Sequence, residues 1–324
     1  MRIFLTGANG FIGSCVAHRL VAEGHAISCL LRETSALDRV DGLPFTRVPG
    51  DVRDVHSMRD AMHECDSTIH LAAPGAWDLD DPSQLRAVVE EGTRNVLAVA
   101  AEQREHRVVV VSSTAAIAAS NVPVLFDERT PFAMPDPALH YAFAKHRAEL
   151  IAREAFERGV PVVVVNPAEV YGPGDTGLVT AGNLIDFATS TPVLVCRGGT
   201  CVVHVDEVAH GIVAAMLRGR PGERYILGGE NVTIRQLAEL VLSLVGRRAT
   251  IVELPNGLTR LATRLAVRLR IPLPYNPHVV PYATRYWFAD SSKAQRELGI
   301  GFRGARETIG STLDWLYETN RLER

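Results

Sequence analysis

The chain has little of what marks the specialised protein classes. Its five cysteines, at positions 15, 29, 65, 196 and 201 of 324, are odd in number and include no C-x-x-C pair. Neither a disulfide framework nor a zinc site is indicated, and the cysteines read as reduced, mostly buried thiols. No segment reaches the roughly 18 to 20 apolar residues of a membrane helix, and Met1 leads directly into a strand-like run rather than a cationic and apolar leader. Charge of one sign is missing as well. Lys and Arg number 34, Asp and Glu 37, and the net charge of −3 comes without any block of like charges. That balance builds no long-range field, so neither nucleic acid nor a membrane is expected as a partner, and the cytoplasm is the default compartment. There is no internal repeat and no low-complexity tract. His18 and His63 fall on ordinary helical segments with no carboxylates at metal-ligand spacing, so no metal is expected.

What remains is a chain with 47% hydrophobic residues, enough to bury the core of one large domain or two. Short runs rich in Val and Ile, at 3–6, 26–31, 45–48, 67–71, 107–112 and 160–166, alternate with longer segments of helical period. The segment from Phe11 to Glu23 has Ile12, Val16 and Leu20 spaced by four, and Leu85 to Gln103 has the same character. Alternation of this kind predicts an α/β fold, a Rossmann-like doubly wound parallel sheet covered on both faces. Val108 to Val111 and Val162 to Val165 suit central strands. After Asn166 the rhythm becomes irregular and richer in Pro and Gly, which predicts a smaller C-terminal substrate-binding lobe. The expected division is 1–166 as the dinucleotide domain, with 204–229 returning to it through a strand at Arg224 to Leu227, and 167–203 with 230–324 as the lobe. Helices are expected over 206–217, 233–245 and 305–317.

The motif TGANGFIG follows the first strand and opens the first helix, which is the context a phosphate-binding turn needs. Gly7 permits the tight turn, Gly10 lets backbone approach a pyrophosphate, and Gly13 lets helix and strand pack closely. Asn9, Phe11 and Ile12 complete the loop and helix start that face the anion. The second strand ends in Leu30 and Leu31, followed by Arg32, where an NAD site presents an acidic residue. A guanidinium fork there suits the 2′-phosphate of NADP(H), so NADP(H) is expected, with NAD(H) left open. Asp51 and Val52 in GDVRD, after the third strand, are placed to meet the adenine. Backbone at Leu71, Ala72 and Ala73 in HLAA is expected to approach the cofactor.

Tyr141 and Lys145 in HYAFAKHRAEL are spaced i, i+4 and so share one helical face. A tyrosine, with an intrinsic pKa near 10, is a poor proton donor at neutrality, and a neighbouring ammonium is expected to lower that pKa. Upstream, the valine strand runs into Ser112, Ser113 and Thr114, hydroxyls at the carboxyl end of a central strand, where open α/β sheets bind ligands. Thr114 is expected to orient the substrate oxygen, with Ser113 as the alternative register. His140 reads as structural, with a proton relay as its alternative, and His204 as packing at a strand end, with the substrate as its alternative partner.

Together TGANGFIG, GDVRD, HLAA, GTRNV with Asn95, SST, Y-x-x-x-K, NPAEVYGPGD, HVDEVAHG and RYWFADSSKAQRELG resemble the extended short-chain dehydrogenase/reductases, the NAD(P)-dependent epimerase/dehydratase superfamily. The resemblance spans nearly the whole chain. It implies hydride exchange at the nicotinamide, with Tyr141 moving the proton on the substrate oxygen, Lys145 also holding the nicotinamide ribose, and Thr114 as the family Ser/Thr. Pro167, Ala168 and Val170 would form part of the nicotinamide wall. Ala115 and Ala116 stand where the family's dehydratases carry an Asp-Glu pair, which argues against dehydration. Arg32 and the stretch from Pro281 to Gly299 look most like dihydroflavonol-reductase-like members, implying NADPH-dependent reduction of a small-molecule ketone or aldehyde to an alcohol. A nucleotide-sugar epimerase or ketoreductase, with Arg285 or Arg197 meeting the diphosphate, and a non-catalytic redox sensor remain open. The substrate is expected around Glu169, Tyr171, 178–184, Val202 and 282–286. The helices over 85–103 and 140–158 match those of the family's four-helix dimer contact, with Ala98, Ala101, Ala144, Ala148 and Ala152 permitting close approach, so a homodimer is expected.

Overall fold

Continuous β-branched runs form strands when both faces are covered, and this chain covers both. The computed structural model describes residues 1–74, 82–273 and 277–323. Its strands are β1 (Arg2–Thr6), β2 (Ala26–Leu31), β3 (Thr46–Pro49), β4 (Ser67–His70), β5 (Arg107–Val111), β6 (Val162–Pro167), β7 (Glu169–Tyr171), β8 (Val193–Cys196), β9 (Gly199–His204), β10 (Arg224–Leu227), β11 (Glu230–Thr233) and β12 (Ile251–Leu254). The helices are α1 (Phe11–Ala22), α2 (His56–His63), α3 (Pro82–Leu85), α4 (Gly92–Ala100), α5 (His140–Glu157), α6 (Ala181–Thr189), α7 (Val205–Arg218), α8 (Ile234–Leu244), α9 (Asn256–Leu269), α10 (Val280–Ala283), α11 (Ser292–Leu298) and α12 (Ala305–Glu318).

Seven strands form one parallel sheet in the order β3-β2-β1-β4-β5-β6-β10, the doubly wound Rossmann arrangement. The valine runs of β5 and β6 lie in register, Val108 opposite Val162 through Val111 opposite Val165. Each fully buried valine contributes about 1.5 to 2 kcal/mol relative to an exposed one. Alternation along β1 divides the core. Ile3 and Leu5 face α1 and α7, whereas Phe4 faces the layer of α2, α4 and α5. The order reverses between β1 and β4, so the ligand crevice opens at Thr6 and His70, where the carboxyl ends of these strands lie side by side.

The helix expected over 85–103 is less regular than its periodicity suggests. α3 passes through a π-helical turn at Arg86–Glu91 into α4, which ends at Ala100. In the lobe, β11-β9-β7 and β12-β8 form two small sheets. Leu184 and Phe187 of α6, Leu237 and Val241 of α8, and Ile309 and Leu313 of α12 make its core. β10 pairs with β6 in the main sheet. One part of the expected division is corrected. Ala294, Leu298 and Ile300, assigned by sequence to the lobe, pack into the sheet core with α7, because β10 leaves an outer flank that α11 covers. Cys29, Cys65 and Cys201 are buried and Cys15 and Cys196 half-buried, all as free thiols. Among the described residues no helix is long and apolar enough to cross a membrane.

Candidate active site

Gly7 sits at φ +74°, and a Cβ there would lie 2.9 Å from the Ala72 backbone nitrogen. The first turn glycine is therefore fixed both by its conformation and by the HLAA backbone beside it. Gly10 donates to the Gly7 carbonyl at 3.0 Å, and a Cβ on it would meet only that carbonyl oxygen, at 3.2 Å. Its outer side is open. A Cβ on Gly13 would lie 2.8 Å from the Gly7 carbonyl carbon, with the oxygen closer still. No side chain caps α1 and no acid stands in its first turn. The first-turn amides thus face a space that suits an anion. The crevice wall is braced by Thr6, whose hydroxyl bonds His70 Nδ1 at 2.8 Å and accepts from Ala72 N at 3.2 Å. His70 Nε2 meets Thr93 at 3.2 Å. Burial, and then the Lys145 ammonium, pushes the His70 imidazole down to about 3, so it stays neutral.

Arg32 is exposed just beyond β2, with Arg47 donating to its carbonyl at 3.4 Å. Asp51 is held in place by Arg53. Arg53 donates to its two oxygens at 2.9 and 2.8 Å, and this bond lowers the carboxyl's pKa. Val52 is buried, with Asn95 donating to its carbonyl at 2.9 Å. Sequence reasoning passed over Arg39. It donates to the Asn9 carbonyl at 3.0 Å, to the Gly174 carbonyl at 3.1 Å and to the Thr176 hydroxyl, and so ties the glycine turn to the loop after β7.

Tyr141 and Lys145 project from the first turns of α5 toward the end of β5. Lys145 is buried and donates to the Val111 carbonyl at 2.9 Å, with its Nζ 5.7 Å from the Tyr141 ring centroid. Burial lowers its pKa to about 8, opposed by the Glu149 charge. The expectation that Lys145 lowers the phenol's pKa is not met in this arrangement. Burial pushes Tyr141 up to about 12, and the group that works against it is the hydroxyl of Ser113, which hydrogen-bonds the phenol. Desolvation outweighs an ammonium whose bond is spent on a backbone carbonyl.

The three strand-end hydroxyls part company. Ser112 turns back into the fold and donates to Glu149 at 2.6 Å. Ser113, the hydroxyl that lowers the phenol's pKa, accepts from Ala115 N at 3.2 Å. Thr114, the hydroxyl favoured by sequence, starts a short 3-10 turn and is largely buried. The strand end bends there, and the bend turns Ser113 toward α5.

Glu149 is a second residue the sequence reading missed, although it continues the i, i+4 ladder from Tyr141 and Lys145. Its buried carboxylate accepts from Ser112, from Asn166 Nδ2 at 2.6 Å and from Arg224 at 3.1 Å. Burial pushes its pKa up, against the lowering effect of those donors. This network joins β5, β6, β10 and α5 directly beneath Lys145.

On the substrate side, Tyr141 packs with Ala115, Met134, Leu139, Ala142, Tyr282 and Trp287. Tyr282 and Trp287 stack with ring centroids 5.5 Å apart, and Trp287 donates to the Tyr282 carbonyl at 3.0 Å. Several expected substrate or wall residues are instead core. Val170 packs into the sheet core, and Tyr171, Leu184 and Val202 into the lobe core. Pro167 closes β6, Ala168 donates to the Leu227 carbonyl at 3.0 Å, and Glu169 accepts from Tyr171 at 2.7 Å. Arg285 is buried and paired with Asp136 at 3.1 Å, and Arg197 is paired with Glu253 at 2.5 Å. The buried Arg285 is not left for a diphosphate, whereas Arg197 keeps 70% of its side chain exposed. Asp136 also accepts from Ala138 N at 3.0 Å, so this pair fixes the approach to α5 and Tyr141. His140 is exposed at the start of α5. His204 caps α7 by accepting from Asp206 N at 3.1 Å and meets Ser311, so it does not face a substrate. Of the alanines expected at a dimer contact, Ala144, Ala148 and Ala152 are buried within the chain itself, whereas Ala98 and Ala101 are exposed.

The profile of the NAD-dependent epimerase/dehydratase family matches residues 3–228. A putative dihydroflavonol 4-reductase of Synechocystis sp. is 29% identical, over 96% of this chain and 93% of its own. A 4-hydroxy-2-methyl-3-oxo-4-farnesyl-3,4-dihydroquinoline-1-oxide ketoreductase of Stigmatella aurantiaca is 31% identical, over 94% and 92%. The crystal structure of gox2253 is similar over 99% of both chains, with a TM-score of 0.86 at 30% identity.

Proposed function

Because this chain belongs to the NAD-dependent epimerase/dehydratase family and is an NAD(P)-dependent oxidoreductase, we propose that it uses NADPH to reduce the ketone or aldehyde of an apolar small molecule to an alcohol. The observation that carries this reading is the placement of Tyr141 on α5 beside the strand-end hydroxyls of β5, with Lys145 donating to the Val111 carbonyl at 2.9 Å, set against Tyr282, Trp287 and Met134. That is a proton donor and an orienting hydroxyl facing an aromatic wall. A relative named as a putative dihydroflavonol 4-reductase and another named as a ketoreductase point the same way. With Arg285 buried against Asp136, a nucleotide-sugar substrate loses one of the two cations expected to hold it.

The chain fits a dinucleotide. The open side of Gly10, which a Cβ would narrow, and the uncapped start of α1 suit the pyrophosphate, Arg32 suits a 2′-phosphate, and Lys145 suits the nicotinamide ribose. When bound, NADPH supplies the hydride. Ser113 then orients the carbonyl oxygen, and Tyr141 gives that oxygen its proton. Lys145, held by Val111 and supported by the Glu149 charge, keeps positive charge beside the phenol as it becomes phenolate. The aromatic wall excludes water and strengthens each of these dipoles.

The test is turnover of a panel of aryl and alkyl ketones and aldehydes with NADPH or NADH, wild type beside Arg32→Ala. Loss of NADPH absorbance with an apolar carbonyl is expected, and a weaker NADPH preference in the variant. Protein that purifies with tightly held NAD and interconverts sugar nucleotides without net reduction would overturn the reading. An unchanged cofactor preference in Arg32→Ala would remove the Arg32 assignment alone.

A further inference from the structure

α9 was not anticipated from sequence, and it has an unusual surface. Only Thr263 and Ala266 of this 14-residue helix are buried. Leu258, Leu261, Leu265 and Leu269, spaced three and four apart, are 66, 56, 49 and 65% exposed. Ile271 just beyond the helix is exposed too. A leucine stripe of this kind belongs against a core, yet here it is turned outward along one face.

The charge around it is one-sided. Between Glu253 and Asp290 the sequence has no Asp or Glu but has Arg260, Arg264, Arg268, Arg270 and Arg285. Arg285 is buried against Asp136, and Arg260 donates to the Thr284 carbonyl at 3.3 Å. Arg264 also reaches Asp136, at 3.4 Å, but keeps 70% of its side chain exposed. Arg268 and Arg270 are exposed. The helix is thus a row of leucines bordered by arginines within a chain whose net charge is −3.

We propose that α9 docks the protein on an anionic lipid bilayer, with the leucines entering the headgroup boundary and the arginines meeting lipid phosphates. An outward apolar stripe with an arginine border and low overall hydrophobicity is the pattern that lies in a membrane interface rather than crossing it. A second copy of the chain fits less well, because a two-fold contact through this face would set arginine against arginine. The whole-chain charge balance that argued against a membrane partner is an average, and it conceals this segregation. α9 also packs against α10, whose Tyr282 flanks Tyr141. On the reductase reading, docking therefore sets the substrate site close to the lipid surface, although the docking itself does not depend on that reading.

Co-sedimentation of the full chain with phosphatidylglycerol/phosphatidylcholine vesicles and with phosphatidylcholine alone tests the proposal. Binding is expected to the anionic vesicles, weakening with added salt. It should fall about tenfold or more in Leu261→Gln/Leu265→Gln, and also in Arg268→Glu/Arg270→Glu. These side chains are exposed, so the variants should keep the wild-type Tm and cofactor affinity. Three results would overturn the proposal: wild-type protein left in the supernatant with anionic vesicles at low salt, binding unchanged in both double variants, or a dimer by light scattering that the leucine variant converts to monomer without vesicle binding in the wild type.

Discussion

The glycines of the first turn can be separated into one that packs and one that admits ligand. In Gly13→Ala the new Cβ meets the Gly7 carbonyl carbon at 2.8 Å, where carbon atoms prefer about 3.5 to 4.0 Å. Relief requires α1 to move off β1 by roughly an ångström, which loosens Val16, Ala17 and Leu20 in the sheet core. Overpacking of that kind costs about 1 to 3 kcal/mol, so Tm should fall by several degrees even without cofactor. In Gly10→Ala the Cβ touches only the Gly7 oxygen, at 3.2 Å, and the backbone at φ −78°, ψ 171° suits alanine. The stability cost stays within about 1 kcal/mol. The methyl nevertheless narrows the approach to the α1 amides, and a loss of about 2 to 3 kcal/mol there raises the NADPH Kd roughly 30- to 150-fold. Thermal melts without cofactor and fluorescence titration with NADPH read the two effects separately. A Gly10→Ala protein that binds NADPH like the wild type would refute the ligand role, and a Gly13→Ala protein that melts like the wild type would refute the packing role.

Tyr141→Phe and Ser113→Ala should each lower kcat by about 100-fold or more while leaving NADPH Kd nearly unchanged, whereas Thr114→Val should act weakly. The reverse order of the two strand-end variants in steady-state assays would return the orienting role to Thr114. Cofactor affinity should depend on pH through Lys145. Because burial holds its pKa below the ordinary lysine value, at about 8, the charged form is present below that pH and is lost as pH rises through it. NADPH binding should therefore weaken above about pH 8. Glu149→Gln removes the charge that supports the ammonium and should move that weakening to lower pH, and coincident titration curves for variant and wild type would exclude coupling between the two residues.

Much of the fold was legible because its signals are local. The valine runs, the phosphate turn and the four-residue spacing of Tyr141 and Lys145 are each set by neighbours along the chain, and they lie on β5, β6, α1 and α5 as their patterns require. α9 was missed because periodicity reveals an amphipathic helix but not which side meets the core, and Pro255 and Pro272 at its borders resemble loop. Glu149 stood in view one turn beyond Lys145. Its importance comes from Asn166 and Arg224, 17 and 75 residues away along the chain, which only folding brings near.

The sequence by itself determined the sheet, the glycine turn and the shared helical face of Tyr141 and Lys145, since backbone preference and side-chain period act over a few residues. Tertiary structure alone decided that Ser112 turns inward to Glu149, that Arg285 is consumed by a buried acid, and which way the phenol's acidity moves. Those outcomes depend on burial and on partners distant in sequence, and desolvation is a property of the assembled surroundings rather than of any residue alone.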